Sequence, residues 1–211
     1  ENIHTGVRRE LAPWQRNSFL DNGRDNIAVQ TNWMLYCQVG TGNTVPTTGD
    51  QQLESFVAST LDTESDSTTT QGSAPYYGSR QVVYRFPAGP IGNQNLQEVG
   101  IGWGASGATL ATRALIRNEI GDPVPVTPQA DELLDVQYEV RYYPPEGDTV
   151  QNDIVFDGVT YTATTRALNV SGSRWSDDIG KKVEQYSSGP SSFRAYDGAI
   201  QAITATAPAG N

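Results

Sequence analysis

The sequence predicts a mainly β protein, an antiparallel sandwich or jelly-roll-like module preceded by an extended or short-helical N-terminal arm. Composition is the first reason: 21 Gly, 12 Pro and 10 Tyr, among abundant Thr and Ser, favour strands joined by turns over packed helices. Lysine use is the second. Lys181 and Lys182 are the only two lysines, so a long exposed helix laced with Glu–Lys pairs is not expected. The third is period-two patterning in LLDVQYEVRYYPP, where Leu134, Val136, Tyr138, Val140 and Tyr142 alternate with Asp135, Gln137, Glu139 and Arg141.

Residues 1–36 read as the arm and residues 37–211 as the β domain, with a core module over about 76–170 and a C-terminal extension over 171–211. In the arm, Phe19, Ile27, Trp33 and Leu35 fall among polar residues with neither a helical nor an alternating period. Its Arg8, Arg9, Arg16 and Arg24, on an otherwise acidic chain, suit packing on a neighbouring subunit; the competing reading is a first strand with solvated charges. LYCQVG reads as a strand ended by Gly40-Thr41-Gly42-Asn43, followed by a loop with Pro46 and Gly49. LESFVASTL is a short apolar segment, and DTESDSTTTQGSA, the most polar run, is expected to be a solvated loop.

RQVVYRFPAG, NQNLQEVGIGWG and LATRALIRNEIGDP read as three strands, the first ended by Pro87 and Gly89 and the last by Gly121-Asp122-Pro123. LLDVQYEVRYY stops at Pro144-Pro145. IVFDGVTYTAT spells a hairpin around Asp157-Gly158, because a two-residue turn of the favoured hand needs two left-handed residues. RWSDDIGKKVEQYSSG is a helix or an irregular excursion, with Ser176 placed as an N-cap before Asp177 and Asp178. FRAYDGAIQAITATAPAGN returns to strand spelling.

Charge narrows the chemistry. With 24 acidic and 14 basic residues the net charge is -10, which repels phosphate backbones, so no nucleic-acid partner is expected. The apolar runs are too short for a membrane span and ENIHTGVRRE lacks the apolar stretch of a signal peptide, so membrane insertion is not expected either. Cys37, the only cysteine, lies in WMLYC and should be a small buried hydrophobe. GWGASG, residues 102–107, matches the dinucleotide spelling G-x-G-x-x-G after a strand-like run. The downstream turns, strand and hairpin leave no helix-length crossover, so it reads as a glycine-rich turn.

GTGN is turn chemistry, since no Gly-Lys-Ser/Thr follows for a phosphate loop. Asp62, Glu64 and Asp66 lie two apart, yet the mid-loop Gly and terminal Glu of a calcium loop are missing, so exposed carboxylates are expected. His4 is the only histidine, which leaves histidine triads and zinc clusters without members, and no G-x-S-x-G elbow occurs. Asn169-Val170-Ser171 spells a glycosylation acceptor, a motif common by chance. Tyr76, Tyr77, Trp103, Tyr142 and Tyr143 could stack on sugars, but core or interface packing is the commoner use of aromatics. No catalytic, cofactor-binding or metal-binding residue is therefore assigned, and no cofactor is expected.

Taken in order, WMLYCQVGTGNTVPTTGDQQL, LQEVGIGWGASGATLATRALI, ELLDVQYEVRYYPP and VFDGVTYTAT resemble tail-fibre-like and related virion structural proteins of tailed bacteriophages, over residues 33–165. The resemblance implies a non-enzymatic virion component, in the tail or as a fibre-attachment adaptor. It would be partnered by other phage virion proteins and by copies of itself as a trimer or hexamer, with a host-surface glycan as a further partner. A capsid decoration protein, a carbohydrate-binding module and a polysaccharide-degrading enzyme are the competing readings. Interface candidates are Arg8, Arg9, Trp14 and Arg16 of the arm, with Trp103 and Tyr142.

Overall fold

A computed structural model describes residues 1–144 apart from Ala28 and Thr31, and then residues 147, 149–150, 154–161 and 164–165. Of these, 41% are strand and 4% helix, and the fold is a mainly β, antiparallel sandwich. The described residues fall into two compact units. The first takes in Glu1–Asp66 and Gln81–Tyr138, the second Ser67–Arg80 and residues from Glu139 onward.

Five strands form the principal antiparallel sheet of the first unit: β1 (Ser18–Phe19), β2 (Tyr36–Gly40), β3 (Phe56–Thr60), β6 (Glu98–Gly102) and β7 (Leu110–Leu115). Their order is β1-β7-β6-β2-β3. The register sets Cys37 beside Ile101 and Gln38 beside Gly100, while Gly100 faces Arg113 and Ile101 faces Thr112. Successive side chains point to opposite faces. Cys37, Ile101 and Thr112 therefore share one face, and Gln38, Gly100 and Arg113 share the other.

Both faces are covered. β4 (Thr63–Gln71), β5 (Tyr77–Phe86) and β8 (Leu134–Tyr142) form the second sheet, in that order. Val82, Tyr84 and Phe86 alternate inward along β5. The Tyr84 hydroxyl donates to the Met34 carbonyl at 2.6 Å, and Tyr138 of β8 hydrogen-bonds Thr112 of β7. Those bonds satisfy phenols that would otherwise lose their solvation on burial. Every residue of β7 is buried, which explains why LATRAL shows no clean apolar–polar alternation: a strand covered on both sides has no solvent face. Cys37 is fully buried, and burial pushes its thiol pKa up.

The N-terminal segment is docked on its own chain. The Ile3 amide donates to the Asp131 carbonyl at 2.9 Å. Trp14, Arg16 and Ser18 are exposed and alternate with half-buried Gln15, Asn17 and Phe19. The Gln15 side chain stands in for a ladder rung, donating to the Leu115 carbonyl and accepting the Arg117 amide at 2.8 Å. β1 then pairs with β7, Ser18 opposite Arg113. Only residues 18–19 of this segment form a strand, with the exposed Arg16 just ahead of it. The short helix α1 (Asp21–Asn26) follows and seats Gly23 on the Ala111 backbone, while Phe19 meets buried Trp33 edge-on at 5.4 Å.

One expectation is corrected. DTESDSTTTQGSA is not a loop, because its residues 63–71 form β4, with seven of its nine residues exposed. Thr-rich sequence has strand propensity without hydrophobicity, and an edge strand can be held by its backbone ladder alone.

In the second unit, β10 (Ile154–Phe156) and β11 (Val159–Tyr161) form the expected hairpin. Asp157 at φ 50° and Gly158 at φ 75° both occupy the left-handed region, as a type I′ turn demands. β9 (Thr149–Val150) and β12 (Thr164–Thr165) pair on either side of that hairpin in sequence. The anticipated excursion with Ser176 and the strand-like tail lie outside the described residues.

Candidate functional site

The sheet face opposite the sandwich interior carries a buried charge cluster. Glu98 opens β6 with no exposed surface, and Arg113 of neighbouring β7 has a side chain 3% exposed. Their pairing is direct, Arg113 Nε donating to Glu98 Oε2 at 2.9 Å. The carboxylate also accepts the amides of Gly42 at 3.0 Å, Glu54 at 3.1 Å and Ser55 at 2.8 Å. Four donors match its four lone-pair sites.

The guanidinium is equally occupied. Arg113 Nη1 donates to Asp50, and Nη2 reaches the Thr44 carbonyl and hydroxyl at 3.3 Å each. Burial opposes the charge on Arg113, and the Asp50 and Glu98 carboxylates outweigh it, so its pKa rises. Burial likewise opposes ionisation of Asp50, but hydrogen bonds from Thr47 and Arg113 win and lower its pKa. Glu54 accepts the Thr44 amide at 2.8 Å and hydroxyl at 2.9 Å, and these lower its pKa in turn.

The glycines of VGTG make this packing sterically feasible. A Cβ on Gly42 would stand 2.5 Å from Glu98 Oε1, and one on Gly40 would stand 3.0 Å from Glu98 Cδ. The cluster thus fastens the loop over residues 41–55 to β6 and β7. Glu98 cannot serve as a base or a cation ligand without releasing that loop, since both of its oxygens are engaged.

A second set of pairs ties the N-terminal segment down. Arg85 holds Asp135 through two bonds of 2.8 Å and also reaches Glu64 at 2.7 Å and Glu1 at 3.3 Å. Arg9 holds Glu132 in the same two-pronged way, at 2.8 Å and 2.6 Å, beside the Gln129 amide. The Arg9 bond and then the amide lower the Glu132 pKa from 4.5 to about 2. A lowered carboxylate pKa contributes stability that is present above the unfolded value and lost as pH falls through the folded one. We expect the Arg9–Glu132 contribution to be full above about pH 5 and to fade toward pH 2. Arg9→Ala should flatten that part of the acid-unfolding profile, measured by fluorescence; an unchanged profile would refute the assignment.

GWGASG is the loop of the β6–β7 hairpin. The Trp103 amide donates to the Thr109 carbonyl at 3.1 Å, Gln38 of β2 donates to the Gly104 carbonyl at 2.8 Å, and Gly107 takes φ 72°. A strand, not a helix, follows it. No helix N-terminus is therefore aimed at a phosphate there.

The interface candidates fall in both units. Arg9 is engaged by Glu132 and Arg8 pairs with Glu1 at 2.8 Å. Trp14 is 59% exposed and Arg16 is exposed, both ahead of β1, and Trp103 is half-buried in its hairpin loop. Tyr142 belongs to the second unit, where it is 50% exposed. In that unit Tyr77 and Tyr143 pack with ring centroids 5.4 Å apart, and the Arg141 guanidinium lies 4.9 Å over the Tyr77 ring. Among the described residues no group of His, Cys, Asp and Glu side chains is arranged to hold a metal ion.

Glu98, Arg113 and Asp50 were not singled out by sequence reasoning. The available signal was a charge inside each of two otherwise apolar strands, in LQEVGI and LATRAL. No protein-family model, curated protein or solved structure matches the chain.

Proposed function

We propose that the chain is a non-enzymatic structural protein of a tailed-bacteriophage virion, a tail component or fibre-attachment adaptor that works through subunit contacts. The observation that supports this reading is where the resembling segments converge. Gly40 and Gly42 of VGTG, Asp50 of GDQQL, Glu98 of EVGIG and Arg113 of TRALI meet in the cluster that pins the loop to the sheet. The shared spelling is thus a recipe for a rigid scaffold, with its charges consumed in holding it.

Fractionation of purified particles tests the proposal. The protein should remain with isolated tails and be missing from isolated heads. Recovery on heads alone would favour a decoration protein. Release of reducing sugars from host polysaccharide, abolished by a single Asp or Glu substitution, would replace the structural reading with an enzymatic one.

A further inference from the structure

We infer that residues 1–9 form a strap that opens and closes on the first unit as one piece, while the five-stranded sheet stays folded. The strap is held together from within. Asn2 Oδ1 accepts the His4 and Thr5 amides at 3.0 Å each, and the Asn2 amide donates to the Val7 carbonyl at 2.9 Å. Gly6, at φ 69°, closes the turn by donating to the Asn2 carbonyl. Its hold on the rest of the unit is polar. The Ile3 amide donates to the Asp131 carbonyl, the Leu133 amide donates to the Glu1 carbonyl at 2.8 Å, Asn2 Nδ2 donates to the Asp131 carboxylate, and the Arg9 fork grips Glu132. Apolar burial adds little: residues 3–10 are all exposed, Ile3 and Val7 among them, and the first buried residue of the chain is Leu20.

Opening strands few groups. Arg85 loses Glu1 but keeps Asp135 and Glu64. Glu132 loses Arg9 but keeps the Gln129 amide and gains water. Bonds exchanged for water cost little net, and the freed strap regains chain entropy. A segment with few buried contacts and exposed hydrogen bonds opens ahead of the core. The Gln15 side chain, bonded to Leu115 and Arg117, fixes the far end, so the hinge falls within residues 10–13. Closed, the strap pairs through the Asn2–Glu132 bridge with backbone just ahead of β8, the last strand of the three-stranded sheet. Open, it leaves that backbone free to pair. Salt screens the partly exposed Arg9–Glu132 and Arg85–Glu1 pairs, so ionic strength sets how often this edge is uncovered. The inference goes beyond the virion proposal and does not rest on it.

Amide hydrogen exchange of the full chain, resolved by residue with NMR, provides the test. The amides of Asn2, Ile3, Gly6 and Leu133 should share one opening constant and be protected at least about a hundredfold less than those of β6 and β7. The Leu133 amide reports detachment, because it lies on the body of the unit and donates to the strap. Arg9→Ala and Asn2→Ala should each speed exchange of those amides by roughly threefold or more and leave β6 and β7 unchanged. Salt at about 1 M should act on the wild-type strap in the same direction. Strap amides as protected as β7, a Leu133 amide still protected when Ile3 exchanges, or variants that speed β7 equally or change nothing would overturn the inference.

Discussion

Glu98→Ala should lower the stability of the first unit by about 3–5 kcal/mol, the cost typical of removing one partner from a buried ion pair. Two losses combine. Arg113 keeps Asp50 but loses its most buried counter-charge, and the amides of Gly42, Glu54 and Ser55 lose their acceptor. A buried orphaned donor costs about 1–3 kcal/mol by itself, although water reaching a loosened 41–55 loop would recover part of it. Against a total stability of roughly 5–15 kcal/mol for a domain, this change moves a urea midpoint far to the left. Replacing Glu98 and Arg113 together by apolar residues should cost less than the sum of the two single changes. A single-variant loss under about 1 kcal/mol would mean that the cluster does not hold the scaffold.

The second large effect runs against ordinary helix propensity. Gly23→Ala in a solvent-facing helix would gain about 1 kcal/mol. Here the added Cβ would lie 2.7 Å from Ala111 Cα and 2.9 Å from its carbonyl carbon, so α1 would have to lift from β7. Overpacking against backbone costs about 1–3 kcal/mol and cannot be relieved by a rotamer change, so net destabilisation is expected. Lifting α1 also strains the Leu20 amide bond to the Ala111 carbonyl and the Asn22 bond to Leu110. Arg24→Ala, about 100° around the helix from Gly23 and exposed with Asp21, should change stability by less than about 0.5 kcal/mol. Parallel urea titrations of the two variants decide this; equal behaviour would refute the docked helix.

Local chemistry made some features legible in advance. Asp157-Gly158 announced its hairpin because few dipeptides accept two left-handed residues, and Cys37 announced its burial by its apolar neighbours. Pro87 and Pro144 marked the ends of β5 and β8 for want of a ladder donor. β4 was hidden because polarity reports solvent exposure, which an edge strand shares with a loop. The cluster was hidden for a different reason. A charge in a sequence reads as surface unless its partners are known, and Glu98 meets Arg113 only through the β6–β7 register and Gly42, Glu54 and Ser55 only through the fold of the loop. The same limit hid the engagement of Arg9 by Glu132, residues far apart in sequence.

Immunogold labelling of intact particles, with an antibody raised against this chain, tests the central proposal most directly. The structural reading predicts gold on the tail at a fixed position, repeated from particle to particle. Labelling confined to the head, or particles that carry no label while the free protein is abundant in the lysate, would contradict it.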